Sequence, residues 1–205
     1  MLDPFLKAAT LLFVLLNPFL MVVYLRDLLD ELSHLDFAKV LLRGTLIAGA
    51  VFIAFAATGD AFFRNVLQVR FASFLVFGGV LFLVIGIRFV LSGTEAVTQL
   101  RGPPEHIAGA IAMPFMVGPG TVSASILAGA QLPLPVAVLA ITTGLGAAVT
   151  CVLVLKVLYA RLASTRRELT SRYVDITGRL SALVIGTISV DMIFRGVEMW
   201  LKGTR

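Results

Sequence analysis

Met113-Pro114-Phe115-Met116-Val117-Gly118-Pro119-Gly120-Thr121-Val122-Ser123 places prolines and glycines in the middle of a long apolar run. The first apolar run of the chain is interrupted in the same way, by Leu15-Leu16-Asn17-Pro18-Phe19. Proline within a helix removes an amide donor and clashes with the carbonyl four residues back, and glycine adds backbone freedom. Both runs are therefore predicted to form discontinuous helices. A break deep in a membrane is tolerated only where it lines a cavity inside the protein.

The composition indicates an integral membrane protein. Of the 205 residues, 59% are hydrophobic and 14% are charged, whereas soluble domains are about half apolar and about a quarter charged. The net charge is +5, but the basic residues are spread between apolar runs, which favours membrane topology over a nucleic-acid partner. Cys151 is the single cysteine, which excludes an internal disulfide and a thiolate metal cluster.

Six apolar windows are long enough to cross a bilayer, since a span needs about 20 residues. The predicted fold class is all-α, a polytopic membrane protein with six transmembrane helices. The windows are roughly Pro4 to Leu25, Val40 to Thr58, Phe71 to Leu91, Ile107 to Ala130, Pro135 to Leu158 and Leu180 to Leu201. Their connections are too short to separate domains, so residues 1–205 are predicted to form one transmembrane domain. The first window shows no cleavage pattern and is interpreted as a retained span.

The distribution of Lys and Arg predicts the orientation. These residues are more numerous in the loops after the first, third and fifth spans, and most of all in the basic loop predicted from Tyr159 to Arg179. Because cytoplasmic loops carry the excess of Lys and Arg, both termini are predicted to lie outside. The spans are then expected to cross a plasma membrane, the inner membrane where a cell has two, with the basic loop in the cytoplasm.

The two halves of the chain, approximately residues 1–101 and 102–205, are predicted to be inverted repeats. An odd number of spans in each half places the second half upside down relative to the first. The breaks fall in corresponding spans, at Asn17-Pro18 and at Gly118-Pro119. Matched interruptions of this kind are typical of transporters built from inverted repeats.

Both breaks are predicted to lie near the midplane, roughly 16 to 20 Å into a core of about 30 Å. Asparagine is a favoured N-cap and proline a favoured first helical residue, so each break is expected to start a new half-helix. The two N-termini would face one site for an anion or a carboxylate. The candidate substrate-binding residues are Asn17, Pro18, Gly118, Pro119, Gly120, Thr121 and Ser123. The alternative is that both breaks are only structural kinks.

Asp191 is the candidate coupling-ion or proton site, because a charge in the middle of the sixth span usually faces a cavity or a partner. It would otherwise contact a substrate ammonium. The alternative is that Arg195, four residues later, pairs with it along the same helix and neutralises it. Proton coupling and sodium coupling are both compatible with the sequence.

The chain resembles the MarC family of six-span bacterial and archaeal membrane proteins, which implies a bacterial or archaeal plasma membrane as its compartment. The resemblance rests on Asn17-Pro18, on the paired glycines that end Phe71 to Gly79, on Gly118-Pro119-Gly120-Thr121 and on the closing helix from Arg179 to Gly196. It implies a secondary transporter similar to LysE-type exporters, with a small neutral amino acid as substrate. Two departures from the family pattern concern the substrate and the coupling ion. Arg88 stands where the family commonly has an acidic residue, and Asp191 stands where the family has glutamine.

Other function classes remain open at this point. A cation or small-metabolite exporter would use Asp191, and a non-transporting interaction subunit would use neither break. An intramembrane enzyme would need Ser123 or Ser125 as nucleophile but lacks a base within the membrane, so the chain is not expected to be an enzyme. No cofactor and no metal site are predicted, since His34 and His106 fall in loops. The expected partners are the lipid bilayer and a small solute, and the sequence leaves a homo-oligomer open.

Overall fold

The computed structural model describes residues 2–25, 28–29, 32–92 and 116–202, and this part of the chain contains helices and no strands. The first interrupted run gives α1 and α2, and the remaining long helices are α3 to α6. Between α3 and α4 lies a short π-helical turn, Phe62–Val66. The helices are α1 (Leu2–Leu16), α2 (Pro18–Tyr24), α3 (His34–Thr58), α4 (Phe71–Ser92), α5 (Pro119–Gln131) and α6 (Leu134–Lys202).

Five stretches of the described residues are long and apolar enough to cross a membrane, which confirms the all-α, polytopic fold class. They are Leu2–Val22, His34–Thr58, Phe71–Leu91, Leu134–Leu158 and Gly178–Lys202. The fourth predicted span, residues 107–130, is described only from residue 116 onward, where it forms α5. Its first part, with Met113 and Phe115, lies outside the described residues.

The basic segment from Tyr159 to Arg179 differs from its prediction. It was expected to be a loop, but the backbone is helical from Leu134 to Lys202. The segment contains five arginines, two alanines and two leucines and no proline, and these residues favour helix. A count of charges places such a segment outside the membrane but says nothing about its local conformation.

The first span of α6 runs parallel to α1. A Cβ at Gly144 would lie 2.8 Å from the Ala9 carbonyl oxygen, and Lys156 Nζ donates to the Leu32 carbonyl at 2.9 Å. Lys156 is only 3% exposed and lies over the Phe37 ring. Main-chain carbonyls and an aromatic ring of the protein therefore surround this ammonium group, although Lys156 lies near the end of the span Leu134–Leu158.

The last span of α6 runs in the opposite direction. Ala182 belongs to one buried cluster with Leu20, whereas Met192 lies, with Leu15, against Gly120. Residues that come later in this span therefore lie beside residues that come earlier in α1 and α2. The chain therefore reverses direction between Leu134–Leu158 and Gly178–Lys202, so α6 is not one straight helix although its backbone is helical throughout. The last span packs antiparallel along α4, where Gly79 meets Ser189 and Gly196 meets Ala72.

Glycines allow the closest approaches between helices. A Cβ at Gly129 in α5 would lie 1.9 Å from the Ala56 carbonyl oxygen of α3, whereas a Cβ at Gly146 would have nothing within 4 Å. Gly129 is thus a packing glycine. Gly146 is exposed and does not have this role.

Gly129→Ala is expected to lower the free energy of unfolding by about 1–3 kcal/mol, because the added methyl group meets backbone that cannot rotate away. Gly146→Ala is the matched control and should leave stability unchanged or raise it slightly, since alanine favours helix. Thermal unfolding of the purified protein in detergent would measure both. Equal midpoints for the two variants would contradict this packing.

Candidate functional site

The first interruption is built by Asn17 and Pro18. Asn17 has a φ of 45°, in the left-handed region that asparagine tolerates better than most residues. Its backbone N–H still donates to the Phe13 carbonyl at 3.2 Å. Its side-chain Oδ1 accepts the Leu20 N–H at 3.2 Å, as an N-cap does. One residue therefore ends α1 and begins α2.

This interruption frees backbone acceptors at the end of α1. Pro18 has no N–H to donate to the Val14 carbonyl, and the Leu20 N–H is bonded to Asn17 Oδ1 instead of the Leu16 carbonyl. The C-terminal end of a helix also carries negative partial charge. Val14, Leu16 and Asn17 line one cavity, so this end of α1 can accept hydrogen bonds from a cationic group.

The second interruption starts α5 with a helix N-terminus. Gly118 is extended, with φ −122° and ψ 169°, and Pro119 is the first helical residue. The Val122 N–H donates to the Gly118 carbonyl at 2.9 Å and makes the first bond of the helix. The N–H groups of Gly120 and Thr121 therefore have no partner within α5. Both residues line the same cavity as Asn17, so the positive end of α5 can donate to an anionic group there.

Thr121 fixes the geometry of this second break. Its side chain is 3% exposed, and its Oγ1 accepts the Gly118 N–H at 3.0 Å. The same oxygen lies 2.8 Å from the Met116 carbonyl and 2.9 Å from the Gly118 carbonyl, one of which takes its proton. Because the hydroxyl is committed to the backbone, Thr121 is a positioning residue that offers a ligand its amide N–H.

The shared cavity has a volume of about 40 Å³, enough for about three water-sized molecules. Its polar side chains belong to Asn17 and Thr121, and its walls are otherwise mostly apolar. The lining residues are Val14, Leu15, Leu16, Asn17, Leu20, Met21, Phe82, Ile85, Gly120, Thr121, Ile185 and Ile188. The cavity thus combines backbone acceptors, backbone donors and an apolar wall contributed by α4 and α6.

The two half-helices lead away from the cavity towards opposite ends of the bundle. α2 leads to the segment that precedes α3, where Lys156 contacts Leu32. α5 leads to Gly129, which lies against Ala56 near the other end of α3. The cavity is therefore between the two ends of the bundle.

An apolar groove lies on the other side of the first break. Its volume is about 320 Å³. It is lined by Phe13, Val14, Asn17, Pro18, Phe19, Leu180 and Val184. Val14 and Asn17 line both spaces, so these two residues separate the central cavity from the groove.

The structure brings together three of the seven predicted substrate residues. Asn17, Gly120 and Thr121 line the cavity, whereas Pro18 lines the groove. Three further candidates do not line the cavity: Gly118 lies against the Phe82 ring, Pro119 lies against Gly78, and Ser123 is half-buried on α5.

The two half-helix N-termini are also unequal, although the sequence suggested that both would face an anion. In α2, Pro18 has no N–H and the Leu20 N–H is capped by Asn17. Only α5 offers two consecutive amides to the cavity.

Asp191 lies away from this cavity. Its Oδ2 is 2.7 Å from Arg195 Nε, and the two side chains are 57% and 67% exposed. This arrangement corresponds to the intrahelical pair that the sequence offered as the alternative to an ion site. Within the described ranges, no group of three or more His, Cys, Asp or Glu residues could hold a metal ion.

The sequence did not identify the apolar wall of the cavity. Phe82 packs so closely on the second break that a Cβ at Gly118 would lie 2.5 Å from its Cζ. Ile85, Ile185 and Ile188 complete this wall. The one available signal was the pair Gly78-Gly79, because small residues mark where another helix approaches α4 closely.

Comparisons with known proteins agree with this architecture. Residues 2–201 match the model of a family described as MarC family integral membrane protein. A UPF0056 membrane protein of Aquifex aeolicus is 25% identical over 213 residues, covering 97% of this chain and 94% of the relative. A UPF0056 membrane protein of Pyrococcus horikoshii is 24% identical over 198 residues, covering 96% of this chain and 94% of the relative. No solved structure is significantly similar to the chain.

Proposed function

Because this chain belongs to the MarC family of integral membrane proteins, we propose that it is a secondary transporter of a small neutral amino acid. The observation that supports the proposal is that residues of both helix breaks line the same cavity. Discontinuous helices that meet near the midplane are where transporters of this type bind their substrates. We also propose that the two halves of the chain are inverted repeats and that the chain does not catalyse a reaction.

The polar groups of the cavity suit a zwitterion. The N–H groups of Gly120 and Thr121 and the positive end of α5 would bind the carboxylate. The freed carbonyls of Val14 and Leu16, with Asn17 Oδ1, would accept hydrogen bonds from the ammonium group. The carboxylate position is the one expected from the sequence. The ammonium position is added by the freed carbonyls at the C-terminal end of α1.

The apolar wall and the small volume of the cavity favour a substrate with a small, uncharged side chain. Phe82, Ile185 and Ile188 offer no partner to a charged side chain, and burial of an unpaired charge is strongly unfavourable. Even glycine is larger than the few water molecules that about 40 Å³ can hold. Binding therefore requires the cavity to widen, and glycine and alanine require the least widening.

The rival functions draw less support from the geometry. Asp191 lies outside the cavity and is paired with Arg195, so a cation exporter centred on it would need a second site. Ser125 donates to the Thr121 carbonyl at 2.7 Å, and no His or Lys is among the cavity-lining residues. A serine nucleophile would therefore have no base beside it.

Thr121→Val is expected to reduce flux about tenfold, which corresponds to the loss of roughly one buried hydrogen bond. Valine keeps the shape but leaves the Gly118 N–H without its acceptor, so the start of α5 loosens. Thr121→Ser is the matched control and should keep most of the flux, because it retains the hydroxyl. The measurement is uptake of labelled glycine or alanine into liposomes that contain the purified protein. Equal flux in the valine variant and the wild type would contradict the positioning role.

A further inference from the structure

The wall of the central cavity is backed by protein almost everywhere. Every hydrophobic residue that lines it, except Val14, belongs to a buried cluster of described residues or packs against one. Ile85, for example, packs against the cluster that contains Leu20 and Phe89. Close packing leaves little room behind such a side chain, so shortening it frees only the volume of the atoms that are removed.

Val14 is backed by the apolar groove instead. Its side chain is 44% exposed, and it lines both the cavity of about 40 Å³ and the groove of about 320 Å³. Asn17, the other residue that lines both spaces, is held by the bond between its Oδ1 and the Leu20 N–H. Removing the methyl groups of Val14 therefore joins the cavity to a much larger space.

The groove opens towards the acyl chains of the bilayer. All the residues that line it lie within the spans Leu2–Val22 and Gly178–Lys202, and Phe19, Leu180 and Val184 are exposed. An apolar side chain that enters the groove meets apolar walls and hydrocarbon. A charged side chain would have no charged partner among the lining residues, and its burial would be unfavourable.

Val14 is also a stiff partition between the two spaces. It lies within α1, and a β-branched side chain within a helix keeps one preferred χ1 rotamer. We infer that Val14 is the specificity-determining residue of the cavity and sets the upper limit on the size of the substrate side chain. This inference rests on the proposed transport of small neutral amino acids. It assigns the groove as the direction in which a longer apolar side chain, such as that of leucine, extends when Val14 is shortened.

Val14→Ala tests this assignment through selectivity. In liposomes that contain the purified protein, the ratio of leucine flux to alanine flux is expected to rise at least about tenfold, since one methylene group changes selectivity in an apolar pocket by about that factor. Ile85→Ala is the matched control. It removes one more carbon atom from the same cavity but leaves the protein behind it in place, so the ratio should rise much less. An equal rise in both variants, or an unchanged ratio in Val14→Ala, would overturn the inference.

The wild-type protein separates this inference from the proposed function. If the wild type carried no labelled alanine, the proposed function would fail, and the role of Val14 in selectivity would fail with it. If the wild type carried alanine and Val14→Ala kept the wild-type ratio of leucine to alanine flux, only the role of Val14 would be wrong.

Reagent access tests the partition without any transport measurement. The protein with Cys151→Ala and Ile188→Cys has a single thiol in the cavity, and N-phenylmaleimide is an apolar thiol reagent that partitions into bilayers. Adding Val14→Ala should make this thiol react several times faster, because the reagent then enters from the groove. Adding Phe13→Ala, which widens the groove but keeps Val14, should leave the rate unchanged.

Leu139→Cys is the control for the reagent itself. Leu139 is 59% exposed on the first span of α6, so its cysteine variant should react at the same rate with and without Val14→Ala. Equal rates at Ile188→Cys with and without Val14→Ala would overturn the inference, as would an equal acceleration by Phe13→Ala.

Discussion

Gly78→Ala is expected to abolish flux of small neutral amino acids and to lower the thermal midpoint. A Cβ at this position would lie 1.9 Å from Pro119 Cγ and 2.0 Å from Pro119 Cβ. The proline ring is rigid and begins α5, so it cannot rotate away, and overpacking of this kind costs about 1–3 kcal/mol. The start of α5 must move, and the amides of Gly120 and Thr121 move with it.

Gly186→Ala is the matched control for this variant, because a Cβ at Gly186 has nothing within 4 Å although it neighbours the cavity-lining Ile185. It should keep wild-type flux. Combining Gly78→Ala with Pro119→Gly removes the ring that the new methyl group meets, and the double variant should be more stable than the sum of the two single changes predicts. Wild-type flux in Gly78→Ala would show that the position of α5 does not matter for transport.

Asn17→Ala is expected to reduce flux at least tenfold and to lower the free energy of unfolding by about 2–3 kcal/mol. Alanine loses the cap on the Leu20 N–H, which costs about 1 kcal/mol, and it also disfavours the φ of 45°, which costs about 1–2 kcal/mol. Asn17→Gly separates the two roles, since glycine adopts the left-handed conformation freely.

The glycine variant should fold nearly as well as the wild type but transport less, because the amide oxygen has left the cavity. Flux in liposomes and thermal unfolding in detergent measure the two effects. If Asn17→Gly transported like the wild type, the side chain of Asn17 would have only a structural role.

Local chemistry explains what could be predicted from the sequence. The break at Asn17-Pro18 and the start of a half-helix at Gly118-Pro119 follow from backbone rules that act within a few residues. The membrane class and the spans follow from apolar length in the same way. These features needed no knowledge of which helices are neighbours.

The remaining features depend on contacts between distant segments. Phe82 and Ile188 join the cavity because α4 and the last span of α6 pack together, and neither has a polar group that could mark it in the sequence. Thr121 was predicted only as a substrate-binding residue. In the structure its hydroxyl bonds to backbone groups of Met116 and Gly118, and the sequence alone does not show these bonds.

The most direct test of the account is whether the cavity between the two breaks is where the solute passes. A single cysteine is introduced by Ile188→Cys in a Cys151→Ala background, and flux of labelled alanine into liposomes is measured before and after reaction with a small thiol reagent. The account predicts flux that the reagent blocks, with alanine slowing the reaction, whereas Leu139→Cys is unaffected. Undiminished alanine flux after complete modification of Ile188→Cys would contradict it.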